Sequence, residues 1–135
     1  MIPFEFSVIG VPVSVQTRNR QRLHQWQTQV RNSALAYWPA GDPPQHGDLI
    51  LTIVYYYDGV PLDTDNIVKP IQDALVDLVY PDDRTITDIK ACKRSINGSF
   101  RVRGMSVAIA QGFSSNQEFV YVKIDRAPDP QELII

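Results

Sequence analysis

The chain has 135 residues, 44% apolar and 21% charged, the proportions of an ordinary globular domain, which exclude a disordered, collagen-like or coiled-coil chain. No apolar run approaches the roughly 18 residues of a membrane span, and a single cysteine, Cys92, excludes a disulfide framework and a multi-thiolate zinc site. A net charge of -2 and a pI of about 5.6 argue, taken as averages, against a nucleic-acid binder.

The length suits one domain spanning 1–135. Met1-Ile2-Pro3-Phe4-Glu5 lacks the basic segment and apolar stretch of a signal peptide, so a cytoplasmic location without membrane contact is expected. Residues 3 to 10 partly alternate and end at Gly10 and Pro12, which predicts a strand and a loop. From 18 to 38, Leu23, Trp26, Val30, Ala34 and Tyr37 recur at spacings of three or four, an amphipathic helix that places Trp26 and Trp38 in the core. Leu49 to Tyr57 is rich in branched and aromatic residues and predicts a buried central strand.

Residues 66 to 80 again show helical spacing at Ile67, Ile71, Ala74, Leu75 and Leu78. Pro70 has no amide hydrogen and fits best in a first turn, so the helix is expected to begin at Asn66 or Ile67, with Asp63 and Asp65 on the extended segment before it. Residues 85 to 94 predict a strand, Asn97-Gly98 a turn, and 118 to 125 a last strand, while 106 to 112 fit either a strand or a short Ser-capped helix stopped by Gly, the helix being favoured.

The charge is unevenly distributed. Residues 58 to 90 carry eight Asp and no Glu against Lys69, Arg84 and Lys90, a balance of -5, while the rest of the chain carries +3. Glu is the better helix former, and short carboxylates on turns suit a hard cation; Asp enrichment in turns is the plainer alternative. On extended chain, Asp63 and Asp65 point to one side, and Asp82 and Asp83 follow the helix. Two carboxylate pairs invite a divalent ion, because close like charges repel unless neutralised. The chemistry then most available is phosphate-ester hydrolysis, with Lys69 stabilising charge on the phosphate. An EF-hand is excluded, since Ile67 and Val68 stand where a third ligand and Gly are required. Asp65 or Asn66 serves equally well as a helix cap, and Lys69 with Asp73 as an exposed ion pair.

The run Asp63-Thr64-Asp65-Asn66-Ile67-Val68-Lys69, then Asp73-Ala74-Leu75, then Asp82-Asp83 resembles the RusA-type Holliday junction resolvases, whose signature is Asp-x-Asp-Asn-x-x-Lys followed by Asp-x-Leu and an Asp-Asp pair. Val11-Pro12-Val13-Ser14-Val15-Gln16-Thr17-Arg18 is similar to that family's N-terminal loop, and 119 to 124 loosely to its final strand. The resemblance implies a homodimeric, magnesium-dependent (or manganese-dependent) endonuclease for branched DNA. It implies an α+β fold, a small mixed sheet of about four strands with flanking helices in the order β-α-β-α-β-β. Asp63, Asp65 and Asp83 are the implied essential carboxylates and Lys69 the essential lysine. Asp82 is the accessory acid and completes the metal set Asp63, Asp65, Asp82 and Asp83. The family's arginines before the first Asp are replaced by Tyr57-Asp58-Gly59-Val60-Pro61-Leu62, and 95 to 116 resemble an insertion.

A straight helix over 66 to 79 is about 20 Å long, so Asp65 and Asp83 share a site either by the chain folding back or across a twofold dimer with antiparallel helices. The dimeric composite is the arrangement expected. Arg18, Arg20 and Arg22, and a second group of Lys90, Lys93, Arg94, Arg101 and Arg103, are candidate DNA contacts or a solvated face. Tyr55, Tyr56 and Tyr57 favour strand packing over base stacking. The expected function is magnesium-dependent resolution of Holliday junctions in recombination and repair. A non-catalytic DNA-binding relative and a small-substrate phosphatase are the alternatives.

Overall fold

The computed structural model describes residues 1–98 and 103–133. Strand β1 (Phe4–Ile9) leads through a loop to helix α1 (Arg20–Leu35), and β2 (Leu49–Tyr57) to helix α2 (Thr64–Ala74). A short 3-10 turn (Asp83–Thr85) precedes β3 (Ile86–Ser95), followed by helix α3 (Val107–Ser114) and β4 (Phe119–Arg126). The elements expected from periodicity are present, and the helix expected over 106 to 112 forms as α3, which the order β-α-β-α-β-β leaves out; it is capped by Ser106, whose Oγ accepts from Ile109 N–H.

The sheet is mixed, in the order β1-β4-β2-β3. β4 runs antiparallel to β1 and β2, and β2 pairs with β3 in parallel. A parallel pair requires a crossover, which α2 supplies. Alternation along β2 sends Leu49, Leu51, Ile53 and Tyr55 to one face, where they pack with Trp26 and Val30 of α1 and Ile67 and Ile71 of α2. Tyr56 turns to the opposite face and joins Phe119, Tyr121 and Ile109 beneath α3. All three tyrosines of β2 are packed: Tyr55 and Tyr56 are buried and Tyr57 is half-buried. No helix among the described residues is long and apolar enough to cross a membrane.

Gly112 does not stop α3 but sits inside it. A Cβ there meets the Phe119 ring at 2.2 Å, so the bare backbone lets α3 lie directly on that ring. Phe119 in turn stacks on Tyr56 at 4.6 Å and cannot easily retreat. Gly112→Ala is expected to destabilise the protein by about 1–3 kcal/mol through overpacking, seen in urea titration as a lower midpoint with an unchanged slope.

Candidate active site

Helix α2 begins at Thr64, with Asp63 in extended backbone (φ -64°, ψ 140°) as its N-cap. The start expected at Asn66 or Ile67 is therefore two or three residues late, and Asp65 lies in the first helical turn rather than on extended chain. Pro70 is the reason this was hard to read. Inside a helix it leaves the carbonyl of Asn66 without an N–H partner. Here that carbonyl accepts the amide of Val15 at 2.9 Å, so the proline sits beyond the first turn with its partner satisfied. The same bond docks the 11–18 loop against the start of α2.

The C-terminal end departs further from expectation. α2 stops at Ala74 rather than near 79. From α1, the Arg31 guanidinium donates to the carbonyls of Ala74 (3.1 Å) and Val76 (2.8 Å), satisfying groups that a helix end leaves unpaired. Asp77 takes a left-handed φ of 70° and donates its amide to Tyr80 O at 2.8 Å, reversing the chain. The buried Tyr80 hydroxyl donates to Gln72 O at 2.5 Å. The returning segment thus runs back along the helix, where Gln72 Nε2 donates to Asp83 O at 3.2 Å and Lys69 Nζ meets Asp83 Oδ2 at 2.8 Å. The straight helix that motivated a composite site across a dimer is not formed. Lys69 and Asp83 meet within one chain.

Lys69 Nζ also lies 2.8 Å from Asp73 Oδ1, one turn along α2. The bonds to Asp73 and Asp83 raise the lysine's pKa above its ordinary value. Asp65 stands one turn before Lys69 and shares its helix face. Asp63 and Asp65 are exposed, and their carboxylates form no hydrogen bond or ion pair among the described residues. Asp82 is engaged elsewhere: its Oδ1 caps the 3-10 turn by accepting Arg84 N–H at 3.0 Å, and its Oδ2 takes Nη2 of the same arginine at 2.9 Å. These bonds to Arg84 hold the Asp82 carboxyl well below the usual carboxylate range. The structure therefore gathers Lys69, Asp73 and Asp83, places Asp65 one turn away, and assigns Asp82 to an arginine. Among the described residues no three Asp, Glu, His or Cys side chains converge as a ready-made cage for a metal ion.

Arg18, Arg20 and Arg22 lie where the docked loop enters α1, and Arg20 Nη1 reaches Val15 O at 3.4 Å. The second basic group does not form one patch. On β3, Lys93 pairs with Tyr55 and faces the α2 side, whereas Lys90 and Arg94 pair with Thr52 and Tyr56 and face the α3 side. Arg101 lies outside the described residues, and Arg103 is exposed. Sequence reasoning missed Arg31, Gln72, Tyr80 and Arg84. Only Arg84, adjacent to the acidic pair, carried a local signal.

Short carboxylates and a lysine on one exposed helix face are a donor set for divalent-ion phosphoryl chemistry, carried here on a small α+β domain. The family model for endodeoxyribonuclease RusA matches residues 10–103, from the docked loop through β3 and including every residue of the site. The chain belongs to the RusA endodeoxyribonuclease family of Holliday junction resolvases, nucleases that act on branched DNA. No curated protein matches the chain.

Two outcomes follow from the geometry. Arg31→Met keeps the packed stem but leaves two carbonyls unpaired, and is expected to lower stability by about 1–3 kcal/mol in urea unfolding. The raised Lys69 pKa implies a contribution to stability that is complete below the ordinary lysine value of 10.5 and is lost as pH rises through the folded value. Wild type should accordingly lose stability more steeply above about pH 10 than Lys69→Met, as measured by unfolding midpoints across that range.

Proposed function

We propose that this protein is a magnesium-dependent endonuclease that resolves four-way DNA junctions during recombination and repair, acting as a homodimer. The observation that carries the reading is the return of the chain after α2, which sets Asp83 on Lys69 one helical turn from Asp65. Three motif segments that are separate in sequence thereby meet at one face of α2, two on the helix and Asp83 packed against it, inside the matched region.

Asp63, Asp65 and Asp83 are the residues that would hold the divalent ion. Their oxygens have the hard-donor chemistry magnesium prefers, and magnesium, which keeps several waters, needs only one or two carboxylates rather than a complete cage. Once bound, the ion supplies polarisation of a phosphoryl oxygen and acidification of a coordinated water. The chain's own part is to hold Lys69 cationic between Asp73 and Asp83, so that its ammonium faces the negative charge developing on the phosphate. Asp82 serves as an accessory group that orients Arg84.

With a net charge of -2, attraction to DNA rests on local groups: Arg18, Arg20 and Arg22 beside the docked loop, and Lys93 on the same sheet face. Lys90 and Arg94, on the opposite face, are proposed to contact a different arm. A twofold dimer supplies two such sites, one for each strand cut.

The test is cleavage of a synthetic four-way junction with magnesium, beside a linear duplex and a generic phosphatase substrate. Junction cutting is expected, and activity on the small substrate alone would reject the reading. Asp63→Asn, Asp65→Asn and Asp83→Asn are each expected to lower kcat at least 100-fold, an effect on the scale of removing one catalytic electrostatic group, and Asp82→Asn much less. Because Lys69 and Asp83 meet within one chain, mixing the Asp65→Asn and Asp83→Asn proteins is expected to restore no activity. Recovery would show that the site is shared between subunits.

A further inference from the structure

A cleft of about 460 Å³ opens between the 11–17 loop and the segment that leads into Asp63. Val11, Val13 and Leu62 give it apolar walls, and Arg22, Tyr55 and Glu118 contribute the polar lining. Its size is that of a small-molecule site. Glu118 immediately precedes β4, outside the segment matched to the family. Its Oε1 accepts two bonds, from Tyr55 Oη at 2.6 Å and from the Asp58 amide at 2.9 Å. Its Oε2 accepts none among the described residues. The cleft therefore joins apolar walls, which suit a planar ring, to one carboxylate oxygen that no protein group among the described residues occupies. Asp58 and Glu118 outweigh Arg22 in charge, so the interior disfavours a phosphate and favours a ligand that donates hydrogen bonds.

We propose that this cleft is a nucleoside subsite. It receives an unstacked base adjoining the scissile phosphate, and Glu118 selects bases that carry an exocyclic amine over thymine, which has none. Carboxylates read base amino groups in this way elsewhere in protein–DNA recognition, and a base leaves its stack at low cost where pairing is already interrupted. Arg22 holds the adjoining phosphate at the rim. The inference rests on Asp63 and Asp65 being the nuclease carboxylates.

Glu118→Gln provides a near-isosteric test. Its amide oxygen still accepts from Tyr55 and Asp58, keeping the loop tethered, while the free position changes from acceptor to donor. Four-way junctions identical except for the nucleotide beside the cut are compared by kcat/KM. Wild type is expected to favour amine-bearing bases over thymine by about tenfold, within the range of one good base contact. Glu118→Gln is expected to shift that preference toward thymine, whose O4 accepts a hydrogen bond. Val11→Trp, at an exposed wall position that touches none of these bonds, narrows the cleft. It is expected to lower kcat/KM severalfold at amine-bearing bases and to change thymine little. Absence of base preference in wild type, or a preference that both variants leave unchanged, overturns the proposal. Full cleavage by Asp63→Asn and Asp65→Asn would instead remove the nuclease assignment, a separate failure.

Discussion

The Lys69 ammonium, held 2.8 Å from both Asp73 and Asp83, is the contact around which the site is organised. The segment from 58 to 90 concentrates eight aspartates, and gathering them without a cation is electrostatically uphill. One lysine on the exposed face of α2 offsets part of the charge of two of them, Asp73 and Asp83. It leaves Asp63 and Asp65 unpaired at the start of the helix. The protein thus displays unpaired carboxylates beside a fixed cation on one exposed helix face.

That contact exists only because α2 is short and the chain after it turns back. Helix α1 clasps α2 at both ends. Arg31 donates to the carbonyls where α2 terminates, and the loop preceding α1 gives its Val15 amide to the carbonyl that Pro70 frees. Helix α2 is at the same time the crossover joining parallel strands β2 and β3, with Ile67 and Ile71 buried against the sheet. Its apolar side is fixed by the core, so its polar side, with Asp65, Lys69 and Asp73, faces outward with little rotational freedom. The same loop that docks on α2 forms a wall of the cleft containing Glu118, a residue that lies just before β4 and beyond the matched region.

Much of this was legible in the linear chain. The nine residues from Leu49 to Tyr57 correspond in full to β2, because an uninterrupted branched and aromatic run tolerates no other buried arrangement of its length. The Asp63, Asp65, Lys69, Asp73, Asp82 and Asp83 spacing pointed to divalent-ion phosphate chemistry and to the family. The helix boundaries misled for a definable reason: Pro70 disfavours a helix interior unless the orphaned carbonyl finds a donor, and the donor lies 51 positions away at Val15. Likewise the apolar spacing through Leu78 continues past the helix, since Leu75 and Val79 are buried in the turn as they would be in another helical turn. The basic group on β3 divided between two faces because strand alternation separates neighbours that adjacency in sequence joins.

Residue types and short-range spacing, which obey local rules of periodicity, charge and backbone chemistry, determined the elements, the acidic motif and the class of reaction. The tertiary structure alone decided that Asp83 meets Lys69 within one chain, that Asp82 belongs to Arg84, and that Glu118 shares a cleft with the loop before α1. Those outcomes depend on where hydrogen-bonding groups left unpaired by one segment find partners in another. Such pairings span tens of residues and are selected by the packing of the whole core, so no local pattern records them.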